Sequence, residues 1–257
     1  MKKSVKLIAL VMAVALVLCA CGGPASSTPA STPADSTPAA STPASTPENN
    51  QATTPTNAGD PVYGGDLSVL GFQFNTFFLP HSTTTSDRFN ALPAIEALGR
   101  RNPETGETEG WLAESFTTDA DALTCTIKLR EGIKFHDDTD FNADAVIWNF
   151  DQMVEFGKES ELGNPESFEK IDDTTIVVHY KDFANTWADV LGEVYIYSPK
   201  AYEDNGEDWA AIHAVGTGPF VFKELVQDSQ ITYEKNENYW REGEPYLDSV
   251  TVKFISD

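Results

Sequence analysis

The stretch that decides the fold is Thr124-Cys-Thr-Ile-Lys-Leu-Arg-Glu-Gly-Ile-Lys-Phe-His-Asp137. Its first six residues alternate between polar and apolar side chains, which is typical of a β-strand with one buried face. Cys125 falls on the apolar face, so we interpret it as a small buried hydrophobe rather than a reactive thiol. The segment Asp119-Ala-Asp-Ala122 predicts a hairpin turn from an earlier strand.

Helices and strands are mixed along the rest of the chain. The clearest helix is predicted at residues 142–156, because Asn142 is a good N-cap and the apolar side chains that follow share one face. Short helices are expected between Asp87 and Leu98 and from Pro199 onward. Further strands are predicted at 67–71, 194–197, 220–225, 231–234 and 250–255, and a turn between two strands is predicted at 171–176, running into 177–179. Without a regular βαβ repeat, the predicted class is α/β in the mixed α+β sense.

The charge balance excludes two classes of partner. The 257 residues carry 17 Lys and Arg against 40 Asp and Glu, a formal net charge of −23. A nucleic-acid-binding protein needs a basic surface for phosphate contacts, and the same holds for binding to anionic membranes by charge. We therefore expect no nucleic-acid partner.

Residues that carry chemistry are sparse and scattered. The four histidines, His81, His136, His179 and His213, are not at metal-ligand spacing, and no common hydrolase or phosphate-loop motif appears. Gly216-Thr-Gly218 precedes a predicted strand rather than a helix, so we interpret it as a tight turn that needs positive φ. An enzyme is disfavoured, and we expect no cofactor and no metal.

The first 60 residues predict an exported, tethered protein. Lys2, Lys3 and Lys6 precede an apolar run at 7–18 that is too short to span a bilayer. Ala20-Cys21 then resembles the bacterial lipobox, which predicts a signal peptide at 1–20 and lipidation of Cys21; a plain secretory signal is the alternative.

The segment that follows predicts a spacer. Residues 21–60 repeat Ser-Thr-Pro five times among small and polar residues, and proline favours an extended chain of about 3 Å per residue. Such a disordered tether suits a domain that must clear a thick cell wall. We therefore expect a cell-membrane location, lipid-anchored on the extracellular face of a single-membrane bacterium.

Five ordered blocks beyond the tether resemble one known family. They are Trp111-Leu-Ala-Glu-Ser-Phe116, the 124–137 stretch with Asn142-Ala-Asp-Ala-Val146, Val215-Gly-Thr-Gly-Pro-Phe220, Asn236-Glu-Asn-Tyr-Trp240 and Tyr246-Leu-Asp-Ser-Val250. In order and spacing they resemble extracellular solute-binding protein family 5, the oligopeptide-, dipeptide- and nickel-binding lipoproteins of ABC importers.

This resemblance implies a periplasmic-binding-protein-like type II clamp. The first lobe has its core at 61–94 and 198–257 and carries an inserted subdomain at 95–197. Ligand lies between this lobe and a second lobe that would come later in the chain. A membrane permease is the implied partner, and no covalent step is implied.

The implied ligand contacts lie in the loop after the first strand. They are His81, Ser82, Thr83, Thr84 and Thr85, whose hydroxyls and backbone could bind a peptide main chain, although an ordinary polar surface loop is the alternative. Gly216, Thr217 and Gly218 are expected to form a turn between the lobes rather than to touch ligand.

Two departures from the family pattern qualify these expectations. Family members run to about twice this length, so a truncated first lobe is expected, and a non-transporting surface lipoprotein or gene fragment is the alternative function. A nickel- or other solute-binding member is a further alternative. The family also favours Asp-Gly after His136, where this chain has Asp137-Asp138.

Overall fold

The structure is a computed structural model that describes residues 61–71, 78–82 and 88–255. All of these residues belong to one compact unit. The signal peptide, Cys21 and the tether lie outside the described residues, so those interpretations stay predictions. In the described ranges no helix is long and apolar enough to cross a bilayer.

The described strands and helices follow one another without a repeating unit, which confirms the mixed α/β class. The strands are β1 Asp66–Gly71, β2 Gly99–Arg101, β3 Thr108–Gly110, β4 Ala113–Asp119, β5 Thr124–Leu129, β6 Pro165–Asp172, β7 Thr175–Tyr180, β8 Phe220–Val226, β9 Gln230–Lys235 and β10 Ser249–Phe254. The α-helices are α1 Ala143–Glu155, α2 Trp187–Gly192, α3 Pro199–Asn205 and α4 Glu207–Ala210, with a 3-10 helix at Glu159–Leu162.

One sheet joins the beginning and the end of the described chain. Its strand order is β1-β10-β9-β8, in which β1 runs parallel to β10 and the other neighbours are antiparallel. Asp66 is paired with Ser249 in this register. Strands far apart in sequence therefore share one sheet.

A second sheet is fully antiparallel, in the order β4-β5-β7-β6. The alternation predicted for β5 is present, since Cys125, Ile127 and Leu129 are fully buried. Helix α1 follows with Asn142 as its N-cap, whose side-chain oxygen accepts from Ala145 N at 3.0 Å. The buried face of this helix packs on the same core.

The buried side chains form two separate hydrophobic cores. The first runs from Leu98 to Ile196 and includes α1 and the second sheet. The second contains described buried residues between Phe78 and Ile95 and between Tyr197 and Val252, and it includes the first sheet. The chain thus leaves one core near residue 96, builds the other, and returns near residue 197.

The two crossings between the cores lie side by side. Leu98 N donates to Val194 O and Ile196 N donates to Glu96 O, both at 3.0 Å. The predicted strand at 194–197 is wrong, because Tyr195 makes only an isolated bridge with Ala97. The crossing is too short to extend the pairing into a ladder.

Two local predictions near the crossings have different outcomes. In the described part of the expected helix before Leu98, Arg88 is helical and residues 89–94 form turns, in which Ile95 N donates to Ala91 O at 2.9 Å. Pro93 lacks the N–H that a continuing helix needs. By contrast, Pro199 begins α3 as expected, with Ser198 as N-cap.

Candidate ligand-binding region

The first of the predicted ligand residues lie in a turn beside the second core. Phe78 and Leu79 are buried, and Ser82 N donates to Leu79 O at 3.1 Å. His81 is only 1% exposed, whereas Ser82 is partly exposed. Of these two residues only Ser82 is therefore accessible to a solute.

The other predicted contacts in this loop, Thr83, Thr84 and Thr85, lie outside the described residues. The assignment of ligand contact to the loop stays a prediction.

His81 is enclosed by aromatic rings. Its ring centroid lies 4.7 Å from that of Phe156, 5.8 Å from Tyr202 and 6.3 Å from Trp148. Neither ring nitrogen has a hydrogen-bond partner among the described residues. Burial, assisted by the positive charge of Lys158, lowers the pKa of His81 to about 4. His81 is therefore a neutral ring at pH 7 and packs as an aromatic residue.

A groove adjoins this turn at Pro80. Arg88 Nη2 donates to Glu161 Oε2 at 2.8 Å, and the guanidinium lies 5.5 Å from the centroid of Tyr195. Two cavities, of about 350 and 310 Å³, share Arg88, Glu193 and Tyr195 in their walls. The remaining wall residues include the apolar side chains of Pro80, Met153, Val190, Val194, Phe89 and Leu92.

This groove combines apolar walls with three guanidinium groups, those of Arg88, Arg100 and Arg101, and two carboxylates. Small-solute sites typically have such predominantly apolar walls with a few polar groups that fix orientation. The groove can therefore hold a solute that carries both charges, by contact and hydrogen bonding alone.

The Gly216-Thr217-Gly218 turn packs directly against the 93–96 segment. A Cβ on Gly216 would lie 2.3 Å from Ala94 O, and one on Gly218 would lie 2.7 Å from Ala94 C. Neither glycine has a positive φ, so our interpretation of these glycines as a positive-φ turn is wrong. Close backbone approach is what requires glycine here.

The carbonyl oxygens of the turn are hydrogen-bonded to two other segments. Gly216 O accepts from His136 N at 2.8 Å. Gly218 O accepts from His136 Nε2 at 2.9 Å and from Asn236 Nδ2 at 3.0 Å. The turn therefore fixes the 133–141 hairpin and the segment around residue 236 relative to each other. Its expected place between two lobes stays a prediction.

A buried glutamate, not singled out from the sequence, connects the turn to both cores. Glu96 is 7% exposed. Its Oε1 accepts from Trp111 Nε1 at 2.7 Å and from Tyr239 OH at 2.6 Å. Its Oε2 accepts from Trp240 Nε1 at 3.0 Å and from Thr217 Oγ1 at 2.9 Å.

Burial raises the pKa of Glu96, and the four hydrogen bonds act in the opposite direction. These bonds replace the hydrogen bonds that an exposed carboxylate would accept from water. The available sequence signal was a single acidic residue within the apolar segment 91–98.

Among the described residues we find neither a metal-ligand cluster nor a reactive thiol. No three His, Cys, Asp or Glu side chains among them are grouped so that they could hold a metal ion. Cys125 is a free, buried thiol whose pKa is raised to about 11 by burial. A protonated, inaccessible thiol is neither a nucleophile nor a metal ligand.

Comparison with solved structures gives the class of protein. One similar structure is the ABC transporter-associated periplasmic binding protein DppA from Helicobacter pylori, in complex with the peptide STSA. It superposes with a TM-score of 0.67 and 26% identity. The match covers 76% of this chain and 43% of that chain. The oligopeptide-binding protein AppA from Bacillus subtilis, in complex with a nonapeptide, gives a TM-score of 0.66 and 27% identity over 76% of this chain and 41% of its own.

The family follows from the sequence profile. Residues 107–257 match the bacterial extracellular solute-binding proteins, family 5 Middle. The chain belongs to this family, whose members bind solutes and are not enzymes.

Among curated relatives, the glutathione-binding protein GsiB of Escherichia coli O1:K1 / APEC is 38% identical over 152 residues, 57% of this chain. The chain covers 30% of the length of that relative.

Proposed function

We propose that this chain forms part of the substrate-binding protein of an ABC importer, which binds oligopeptides or dipeptides and delivers them to a membrane permease. The observation that carries the proposal is the family match over residues 107–257. The peptide complexes of similar solved structures support a peptide ligand. The similarity to a glutathione-binding protein is consistent with it, since glutathione is itself a small peptide.

The chemistry of the described region suits such a ligand. A peptide carries an ammonium group, a carboxylate and apolar side chains, and the groove beside Arg88 offers complementary groups in Glu161, Glu193 and Tyr195. Recognition of this kind needs only hydrogen bonds, ion pairs and exclusion of water.

Uptake by the source bacterium tests the transport role. Deletion of the coding region for residues 61–257 should abolish uptake of a peptide or of glutathione supplied as sole sulfur or nitrogen source. Uptake that equals that of the parent strain for every peptide tried would overturn the proposal. Growth on inorganic nitrogen is the control for general fitness.

We also propose that Cys21 carries a lipid that anchors the protein on the extracellular face of the cell membrane. The apolar run followed by Ala20-Cys21 supports this assignment. Cys21→Ala should release the protein from the membrane fraction and abolish labelling by a fatty-acid analogue. Cys19→Ala is the matched control, because it removes the neighbouring thiol and should leave both properties unchanged. Labelling that survives Cys21→Ala would exclude this site.

A further inference from the structure

We infer that the part of the groove lined by Arg88, Arg100 and Arg101 is a subsite for a carboxylate of the ligand that adjoins an apolar side chain. In a peptide this carboxylate is either the free C-terminus or an acidic side chain. The inference deepens the proposed function and rests on it.

The cavity at this end of the groove concentrates positive charge. It has a volume of about 310 Å³, and its walls contain three of the five arginines of the chain. Glu193 is the one acidic side chain among its described wall residues. A cleft whose walls carry mostly one sign of charge raises the local concentration of ions of the opposite sign. This cavity therefore favours an anion, although the chain as a whole has a formal net charge of −23.

The three guanidinium groups keep hydrogen-bonding capacity for a ligand. Arg88 Nε is buried and has no hydrogen-bond partner among the described residues. Arg100 donates to Glu109 through Nε, and a guanidinium has four further N–H donors. Arg101 Nη2 lies 3.6 Å from Glu193 Oε1, which is beyond the length of a good hydrogen bond.

The pair between Arg101 and Glu193 can be replaced by a ligand carboxylate. The two side chains are 53% and 68% exposed, and ion pairs as exposed as this contribute little to stability. A carboxylate brought in by a ligand can accept two parallel hydrogen bonds from one guanidinium. Binding there therefore gains a better hydrogen-bond geometry than Glu193 offers.

The same cavity has exposed apolar side chains in its wall. Phe89 is 55% exposed and Leu92 is 39% exposed. A ligand side chain that covers them removes apolar surface from water, which a small inorganic anion cannot do. The walls therefore suit a carboxylate with an apolar neighbour rather than an anion alone.

Titration of the whole chain with small probes, followed by NMR of the backbone amides, tests the subsite by itself. N-acetyl-leucine has the carboxylate and the apolar side chain but no ammonium group. It should shift the amides of Phe89, Arg100 and Arg101 until the site is saturated. N-acetyl-leucine amide, which lacks the charge, should give no saturable shift, and N-acetylglycine, which lacks the apolar side chain, should bind at least threefold more weakly.

Three variants and one control assign the binding to these residues. Arg100→Gln and Arg101→Gln should each weaken N-acetyl-leucine binding at least threefold. Glu193→Gln should strengthen it about threefold, because the competing carboxylate is gone, and damage to the fold does not raise affinity. Lys200→Gln is the matched control, since it removes a positive charge from an exposed ion pair that is not part of this cavity.

Two results of these titrations would overturn the inference. One is the absence of a saturable shift with N-acetyl-leucine. The other is an equal affinity in the parent and in both arginine variants. Either result, in a protein whose deletion abolishes peptide uptake, leaves the proposed function standing.

Calorimetric titration with matched peptides separates the two sources of the carboxylate. If the C-terminus binds, Ala-Ala-Leu should bind at least threefold more tightly than Ala-Ala-Leu amide. If an acidic side chain binds, Ala-Glu-Leu amide should bind at least threefold more tightly than Ala-Gln-Leu amide. In Arg101→Gln the preference should disappear.

Two further outcomes concern the link to a peptide. A chain that binds N-acetyl-leucine but none of the four peptides would overturn the assignment to a peptide carboxylate. Peptide uptake that survives deletion of the coding region would overturn the proposed function, and this assignment with it.

Discussion

Trp240 lies 144 residues beyond Glu96 in the chain, yet its indole nitrogen donates to the Glu96 carboxylate at 3.0 Å. Trp111, which packs against the first core, donates to the other oxygen of the same group. One buried carboxylate thereby joins the crossing between the cores, the first core and the segment near residue 240. Removal of one partner from such a network leaves buried polar groups without compensation.

Glu96→Ala should therefore destabilise the protein strongly. Four donors would lose their acceptor at once, and loss of one partner of a buried polar network costs about 3–5 kcal/mol. Glu96→Gln should cost less but still about 2 kcal/mol, because the amide nitrogen cannot accept from an indole N–H. Urea unfolding followed by tryptophan fluorescence measures both. Glu109→Gln, an exposed position, is the control, and an equal loss there would contradict the explanation.

Gly216→Ala should be tolerated far less well than Gly157→Ala. At position 216 the added methyl would lie 2.3 Å from Ala94 O, so the two segments would have to separate. At position 157 the methyl meets nothing within 4 Å and only the positive φ of +72° opposes it. We expect about 1 kcal/mol for Gly157→Ala and at least 3 kcal/mol for Gly216→Ala. Thermal unfolding midpoints of the two variants, measured in the same buffer, test this order.

His81 should make the protein sensitive to acid. Because the pKa of His81 is lowered to about 4 in the folded state, the unfolded chain takes up this proton first as the pH falls. The contribution of neutral His81 to the free energy of unfolding is full above about pH 6.5 and is lost as the pH falls through about 4, a decrease of roughly 3 kcal/mol.

His81→Phe should remove this part of the acid sensitivity, since phenylalanine fills the same aromatic site without a titrating group. The difference between the urea unfolding midpoints at pH 7 and pH 4.5 should be smaller in the variant than in the parent. Glu96, whose pKa is raised by burial, acts in the opposite direction in acid and is present in both proteins, so it cancels.

Asp138→Gly should stabilise the hairpin that follows His136. Asp138 has φ +64°, a left-handed conformation that glycine adopts without strain. Relief of that strain stabilises the folded state, whereas the greater conformational freedom of glycine stabilises the unfolded chain. The first effect is slightly larger, so we expect the free energy of unfolding to rise by about 0.5 kcal/mol. A rise of the thermal midpoint by a few degrees is the expected result. Asp140→Gly should lower it instead, because Asp140 forms an ion pair with Lys134.

Local patterns predicted the elements whose partners are near in sequence. Alternation located β5, and the N-cap with its apolar stripe located α1 within one residue at each end. Sheet order was beyond such patterns, because the pairing of Asp66 with Ser249 depends on contacts between opposite ends of the described chain. The wrong strand at 194–197 has the same origin, since its apolar residues serve a crossing between two cores.

The candidate ligand-binding region was less predictable for a related reason. The family resemblance pointed to His81 and Ser82, but the aromatic surroundings of His81 come from α1 and α3, which no local signal connects to it. Glu96 shows the same limit, because its four donors come from three distant segments. The Gly216 turn was recognised, whereas its physical cause became apparent only from the approach of Ala94.

The neighbouring crossings at Ala97 and Tyr195 make the segment 98–194 a closed excursion of the chain. Its entry and exit are paired backbone to backbone, so the rest of the described chain is joined to this segment at two adjacent points. A change of length in a surface turn within the segment therefore need not alter the distance between those two points.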